Sequence, residues 1–224
     1  MGIQSANDRE LRAIGRIHTF AQAQDAFFRA RRAGFANLSV DLMYALPNQR
    51  MEQLCASLDA LLDLQPEHLS CYGLTLEAHT PLGRQHPVLP DEDTQADMYL
   101  AVCDRMRRAG FEHYEISNFC RPGKYSRHNT SYWKGIAYLG CGPSAHSFDG
   151  MTREWNVSSI DTYIKGIEED CRAFETEYLD PTTRYNEFII TTIRTVWGTP
   201  IEKLKQMFGN ETVSYTHLTL PTNS

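Results

Sequence analysis

Asn37-Leu38-Ser39-Val40-Asp41-Leu42-Met43-Tyr44 is the stretch that decides the fold, and it predicts a β-strand closed by a turn at Leu46-Pro47-Asn48. On its N-terminal side, Ala23, Ala26, Phe27 and Ala30 share one face of a helix predicted over 21–33 and stopped by Gly34, the expected glycine after a helix end. On its C-terminal side, Leu54, Leu58, Leu61 and Leu62 point inward from a helix predicted over 51–64, with Pro66 after its end. A second strand is predicted over 68–74. A loop with Pro81, Pro87 and Pro90 leads to Asp91-Glu92-Asp93-Thr94, acidic residues suited to the positive end of a helix that runs through Met98 and Met106 to Gly110. Further upstream, Asn7 reads as an N-cap ahead of Leu11 and Ile14. Helices alternating with strands across short gaps predict right-handed β/α units on a parallel sheet, as in part of an α/β barrel.

Functional residues of such sheets gather at the C-terminal strand ends, which draws attention to Asp41 and to Gln4. Gly2-Ile3-Gln4 already reads as a strand end, so a chain lacking its beginning is expected. From Phe111 the pattern changes. Tyr114-Glu115-Ile116-Ser117-Asn118-Phe119 predicts an antiparallel strand, 160–169 a helix, and 184–197 and 201–208 the opening of a small helical domain. The expected division is a barrel portion over 1–150, a helical portion over 151–212, and a Thr-rich tail over 213–224 that reads as spurious sequence.

Composition narrows the function classes. The 224 residues are 42% hydrophobic and 22% charged, which is ordinary for a globular protein. Lys and Arg total 22 against 28 for Asp and Glu, a net charge of −6, and the basic residues cluster only at 29–32 and 105–108; a nucleic-acid partner is not expected. No window approaches the roughly 18 apolar residues of a membrane span, although peripheral membrane contact stays open. Without a signal-peptide pattern at the N-terminus, a cytoplasmic location is expected.

The six cysteines, Cys55, Cys71, Cys103, Cys120, Cys141 and Cys171, are nowhere closer than 16 residues apart, so no sequence-local metal clip forms and six reduced thiols are expected. Taken alone, Asp41 is a strand-end carboxylate or turn former, Arg16 a solvated helix residue, and His128 a hydrogen-bonded surface imidazole. The densest constellation lies further on, where Tyr114 to Phe119, Arg121-Pro122-Gly123, Ser126 to Trp133 and Tyr138 to Ser147 crowd aromatic, His, Asn and Gly residues into one irregular region.

These runs, with Asp41 to Pro47 and Gln4 through Gly15-Arg16, resemble the HemN/HemW branch of the radical S-adenosylmethionine proteins over residues 2 to 210. His128-Asn129-x-x-Tyr132-Trp133 and Tyr114 to Phe119 resemble its heme-chaperone side in particular. The resemblance implies a mixed α/β fold: the C-terminal part of a partial (β/α)6 barrel, then the start of a small helical domain. It implies that Gln4, Arg16 and Asp41 contact S-adenosylmethionine, an amide, a guanidinium and a carboxylate suiting that ligand's charged and hydroxyl groups. His128 would serve as an axial heme ligand, with His146 a weaker choice. The Gly140-Cys141-Gly142 loop would allow a tight backbone path near a cofactor. The branch's Cys-x3-Cys-x2-Cys motif for a 4Fe–4S cluster is expected upstream of this chain, so no cluster and no catalytic residue are assigned to it. The function implied is part of a heme chaperone that passes heme to acceptor proteins; the alternative is an oxygen-independent coproporphyrinogen III oxidase.

Overall fold

The structure, a computed structural model, describes residues 1–210. The expected tail over 213–224 lies outside the described residues. The chain divides into two compact units, the first ending at Ser126 and the second starting at Arg127.

The first unit runs β1 (Gly2–Gln4), α1 (Asp8–Ala13), α2 (Phe20–Arg32), β2 (Ser39–Tyr44), α3 (Met51–Leu62), β3 (His68–Gly73), α4 (Glu92–Arg108), β4 (Glu112–Glu115) and β5 (Asn118–Cys120), with a short 3-10 turn at Gly83–Gln85. Its sheet has the order β1-β2-β3-β5-β4: the first three strands are parallel, and β5 pairs antiparallel with both β3 and β4. The β/α units read from the sequence are therefore present. Their ends are set by side chains. Asn7 Oδ1 accepts from Arg9 N–H at 2.9 Å, Thr19 and Gln22 close a reciprocal capping box, and Asp91 Oδ1 accepts from Thr94 N–H at 2.8 Å. Each satisfies amide groups that a helix start leaves without partners.

One face of the sheet carries the apolar core. Ile3, Val40, Leu42, Leu69, Cys71 and Phe119 pack against Ala23 and Phe27 of α2, Leu54, Leu58 and Leu61 of α3, and Met98, Val102 and Met106 of α4. Removing a side chain such as Leu58 from this core would cost roughly 2–5 kcal/mol.

Tyr114 to Phe119 is not one strand, as expected, but the end of β4, a tight turn at Ile116-Ser117, and the start of β5. The Glu115 carboxylate closes the turn by accepting from Ser117 N–H at 2.9 Å, and the alternation breaks there at the consecutive polar residues Ser117 and Asn118.

The second unit comprises α5 (Arg127–Trp133), β6 (His146–Phe148), β7 (Thr152–Asn156), α6 (Ile160–Glu168), β8 (Phe174–Tyr178), α7 (Pro181–Ile193) and α8 (Ile201–Phe208). The expected helices from 184 on are present as α7 and α8, but an antiparallel sheet β6-β7-β8 precedes them. A boundary between residues 150 and 151 would cut the β6–β7 hairpin, in which His146, Ser147 and Phe148 pair with Trp155, Glu154 and Arg153. The compact units part at 126/127 instead. β7 carries Arg153 and Glu154 side by side and lacks the apolar alternation that marks a half-buried strand, while β8 alternates Phe174, Thr176 and Tyr178 with Glu175 and Glu177 but is exposed throughout.

Candidate functional site

Because strand side chains alternate, burying Val40 and Leu42 beneath the helices turns Ser39, Asp41 and Met43 to the other face. That face has no helix over it in the first unit's core, and beside Met43 and Tyr72 it carries the polar Ser39, Asp41 and Ser70. The pairing aligns Gly2, Asp41, Ser70, Asn118 and Glu115 in one row across all five strands. Ser70 Oγ donates to Asn118 Oδ1 at 3.0 Å, and Asn118 Nδ2 donates to the Glu115 carboxylate. Only Asp41 of this row stands out from the sequence. Ser70, Glu115 and Asn118 join Asp41 through strand register, which the sequence does not state, although the last two lie within the Tyr114 to Phe119 run.

Gln4 ends β1 with φ +72, and Ala45 follows β2 with φ +56, both unusual for residues other than glycine. Such conformations cost on the order of 1 kcal/mol or more and gather at functional strand ends. Gln4 is buried, and its Oε1 accepts from the Tyr72 hydroxyl at 3.2 Å. A Cβ on Gly2 would stand 2.7 Å from Gln4 Nε2, so a larger residue there would require the Gln4 amide to shift. Arg16 is exposed and lies past the end of α1, its N–H bonded to Leu11 O at 2.9 Å, so it is a loop residue and not a helical one. Burial raises the Tyr72 pKa and the Asp41 charge raises it further, while the Gln4 bond and the Arg16 charge oppose them. Gln4 thus bonds this phenol directly, while Asp41 and Arg16 act on it through their charges.

Two buried polar clusters flank this end of the sheet and its opposite. Glu10, 5% exposed, accepts at Oε2 from the Ser5 hydroxyl and from Gln49 Nε2 at 3.2 Å, and its Oε1 has no partner among the described residues. At the start of β3, His68 Nδ1 meets Ser39 Oγ at 2.8 Å and its Nε2 meets the Tyr114 hydroxyl at 2.7 Å. Burial, aided by the Met1 ammonium, lowers the His68 pKa to about 4, so the ring is neutral at pH 7. A single His beginning a strand gives no sequence signal of this kind.

In the second unit, His128 is exposed in α5. Its ring meets Tyr132 edge to face at 5.0 Å, Tyr132 meets Tyr138 at 4.8 Å, and Tyr138 meets Phe148 at 6.1 Å. Tyr132 is 40% exposed and is not a core residue, whereas half-buried Trp133 lies under the Arg194 guanidinium at 5.2 Å. His146 sits on β6 against Trp155 at 5.8 Å. The Gly140–Gly142 loop has a structural cause: a Cβ on Gly140 would lie 2.1 Å from His146 O. Buried Asn156 holds the loop by donating to Gly140 O at 3.3 Å and Gly142 O at 2.9 Å.

Among the described residues no three His, Cys, Asp or Glu side chains could together hold a metal ion, and no helix is long and apolar enough to cross a membrane.

The fold likeness is to a radical S-adenosylmethionine enzyme: coproporphyrinogen III oxidase, HemN, of Escherichia coli matches with a TM-score of 0.80, covering 97% of this chain and 54% of that one at 19% identity. By sequence, the chain is 36% identical over 212 residues to the heme chaperone HemW of Lactococcus lactis, covering 93% of this chain and 56% of the relative. It is 40% identical over 174 residues to the HemW of Bacillus subtilis, covering 75% and 45%. A mitochondrial radical S-adenosyl methionine domain-containing protein 1 of Danio rerio is 36% identical over 180 residues, covering 75% and 40%. No family model matches the chain. Fold and sequence likeness together lead to the HemN/HemW branch of the radical S-adenosylmethionine proteins, with the sequence relatives on its heme-chaperone side. The chain spans about half the length of the curated relatives it matches.

Proposed function

We propose that the chain works as part of a cytoplasmic heme chaperone, holding heme for delivery to acceptor proteins on a radical-SAM scaffold. The observation that carries this is His128 in His128-Asn129-x-x-Tyr132-Trp133, exposed and backed by the Tyr132-Tyr138-Phe148 aromatic series. A neutral imidazole is a good axial iron ligand, and aromatic faces beside it suit a porphyrin. Sequence relatives at 35–40% identity bear the heme-chaperone name, which favours this function over the oxidase, whose likeness at 19% identity concerns the fold.

The polar sheet face fits S-adenosylmethionine. Gln4, Arg16 and Asp41 would hold it, the amide and guanidinium donating and the carboxylate accepting. When bound, that ligand would supply redox or regulatory chemistry. The six cysteines present do not fit a 4Fe–4S cluster: Cys71 and Cys120 are buried while Cys141 and Cys171 are exposed, and none is near two others.

Hemin titration of the protein and of its His128→Ala variant tests the heme assignment. Loss or displacement of the Soret shift at unchanged circular dichroism is expected; an unaltered Soret band returns His128 to a surface role.

A further inference from the structure

The second unit contains a cavity of about 430 Å³ whose chemistry differs from that of the chain around it. Tyr138, Phe148, Leu179 and Phe188 supply apolar walls. Its charged lining is Lys134, Arg153, Arg184 and Lys203 against the single carboxylate of Glu187, in a chain whose net charge is −6. Glu187 is already engaged, since Arg153 Nη2 donates to both its oxygens at 2.8 and 2.9 Å. Lys203 has its ammonium 5.5 Å from the Phe188 ring centre. Neither Arg184 nor Lys203 makes an ion pair among the described residues. Cations beside aromatic walls, with the one carboxylate of the lining already bound by Arg153, favour an anion on an apolar body.

We propose that this cavity receives the carboxylate-bearing edge of a flat, apolar ring system, with Arg184 and Lys203 binding the carboxylates. The proposal deepens the heme reading and rests on it for the identity of the ring. Tyr132 connects the two, because it lines the cavity and also contacts the His128 ring. In a porphyrin the two propionates are the carboxylates, and the apolar macrocycle is what the aromatic walls accept. Arginine offers a fork that matches one carboxylate and lysine a point charge, so their replacements are not equivalent.

Iron-free protoporphyrin IX is the probe, because it has no metal for His128 to ligate. Binding is followed by porphyrin fluorescence anisotropy in the intact protein, an Arg184→Ala/Lys203→Ala variant and an Arg184→Lys/Lys203→Arg variant, each checked by circular dichroism. The alanine variant is expected to bind tenfold or more weakly, and the charge-retaining variant to recover most of that loss. The dimethyl ester, which lacks the carboxylates, is expected to bind the intact protein and the alanine variant alike. Equal affinity of the intact protein and the alanine variant for protoporphyrin IX, ester binding as tight as that of the diacid, or no protoporphyrin binding at all would each overturn the proposal. Failure of the axial role is read separately, as a hemin Soret band indifferent to His128→Ala.

Discussion

The Tyr72 hydroxyl donates to Gln4 Oε1 at 3.2 Å, a bond that reaches over β2 and ties the end of β3 to the end of β1. Asp41 is the residue of β2 whose charge this phenol feels. If these groups bind S-adenosylmethionine, Asp41→Ala should weaken binding by about 1.5–3 kcal/mol, the worth of a hydrogen bond to a charged group. The melting temperature should barely move, because Asp41 makes no core contact. Calorimetric titration decides it, and unchanged affinity in a folded variant rejects the assignment. Tyr72→Phe should lose less, roughly 1 kcal/mol, by freeing Gln4 while leaving it present.

Acid should destabilise the first unit through His68. Its folded pKa, about 4, lies below the ordinary histidine value of about 6.5, so folding favours the neutral ring. The stability it confers is complete above pH 6.5 and is lost as pH falls toward 4, by on the order of 3 kcal/mol in total. Urea unfolding at pH 7 and pH 4.5 should show a steeper loss for the native chain than for His68→Gln, which cannot titrate. Parallel losses in the two would show that other groups carry the acid response.

Gly140→Ala should destabilise the second unit by about 3 kcal/mol, because the new methyl meets the His146 carbonyl, a backbone atom that cannot rotate away. Thermal unfolding measures it. Gly142→Ala, by contrast, meets nothing within 4 Å and is strained only through its φ of +113.

Asn156→Ala should free the same loop differently. It strips the Gly140 and Gly142 carbonyls of a donor and the Arg172 guanidinium of an acceptor 3.0 Å away, at a cost of about 3 kcal/mol. Hydrogen exchange at the Gly140 and Gly142 amides, which donate to Ser147 Oγ and the Tyr163 hydroxyl, should accelerate well beyond the rest of the unit.

Strong local signals made the first unit legible. Asn7 and Asp91 are caps, Leu54, Leu58 and Leu61 mark one helix face, and each feature acts within a few residues of itself. Asp41 was accessible because a charge interrupting Val40 and Leu42 is conspicuous. Ser70 was not, since its importance comes from lying between Asp41 and Asn118 in a register that no local pattern states. The β6–β8 sheet escaped for a related reason: charged residues on short strands conceal their period, and helical spacing in 184–197 dominated the region. Arg184 and Lys203 likewise become a pair only when α7 and α8 are folded.

The row Gly2-Asp41-Ser70-Asn118-Glu115 also constrains how the sheet can assemble. A slip of one residue between neighbouring strands exchanges their two faces, which would push Asp41 under α2 and α3 and expose Val40 and Leu42. Desolvating an unpaired carboxylate is costly enough to make such a mispaired sheet uncompetitive. The polar row would therefore act as a proofreading device, rejecting frameshifted pairings while the chain is still folding.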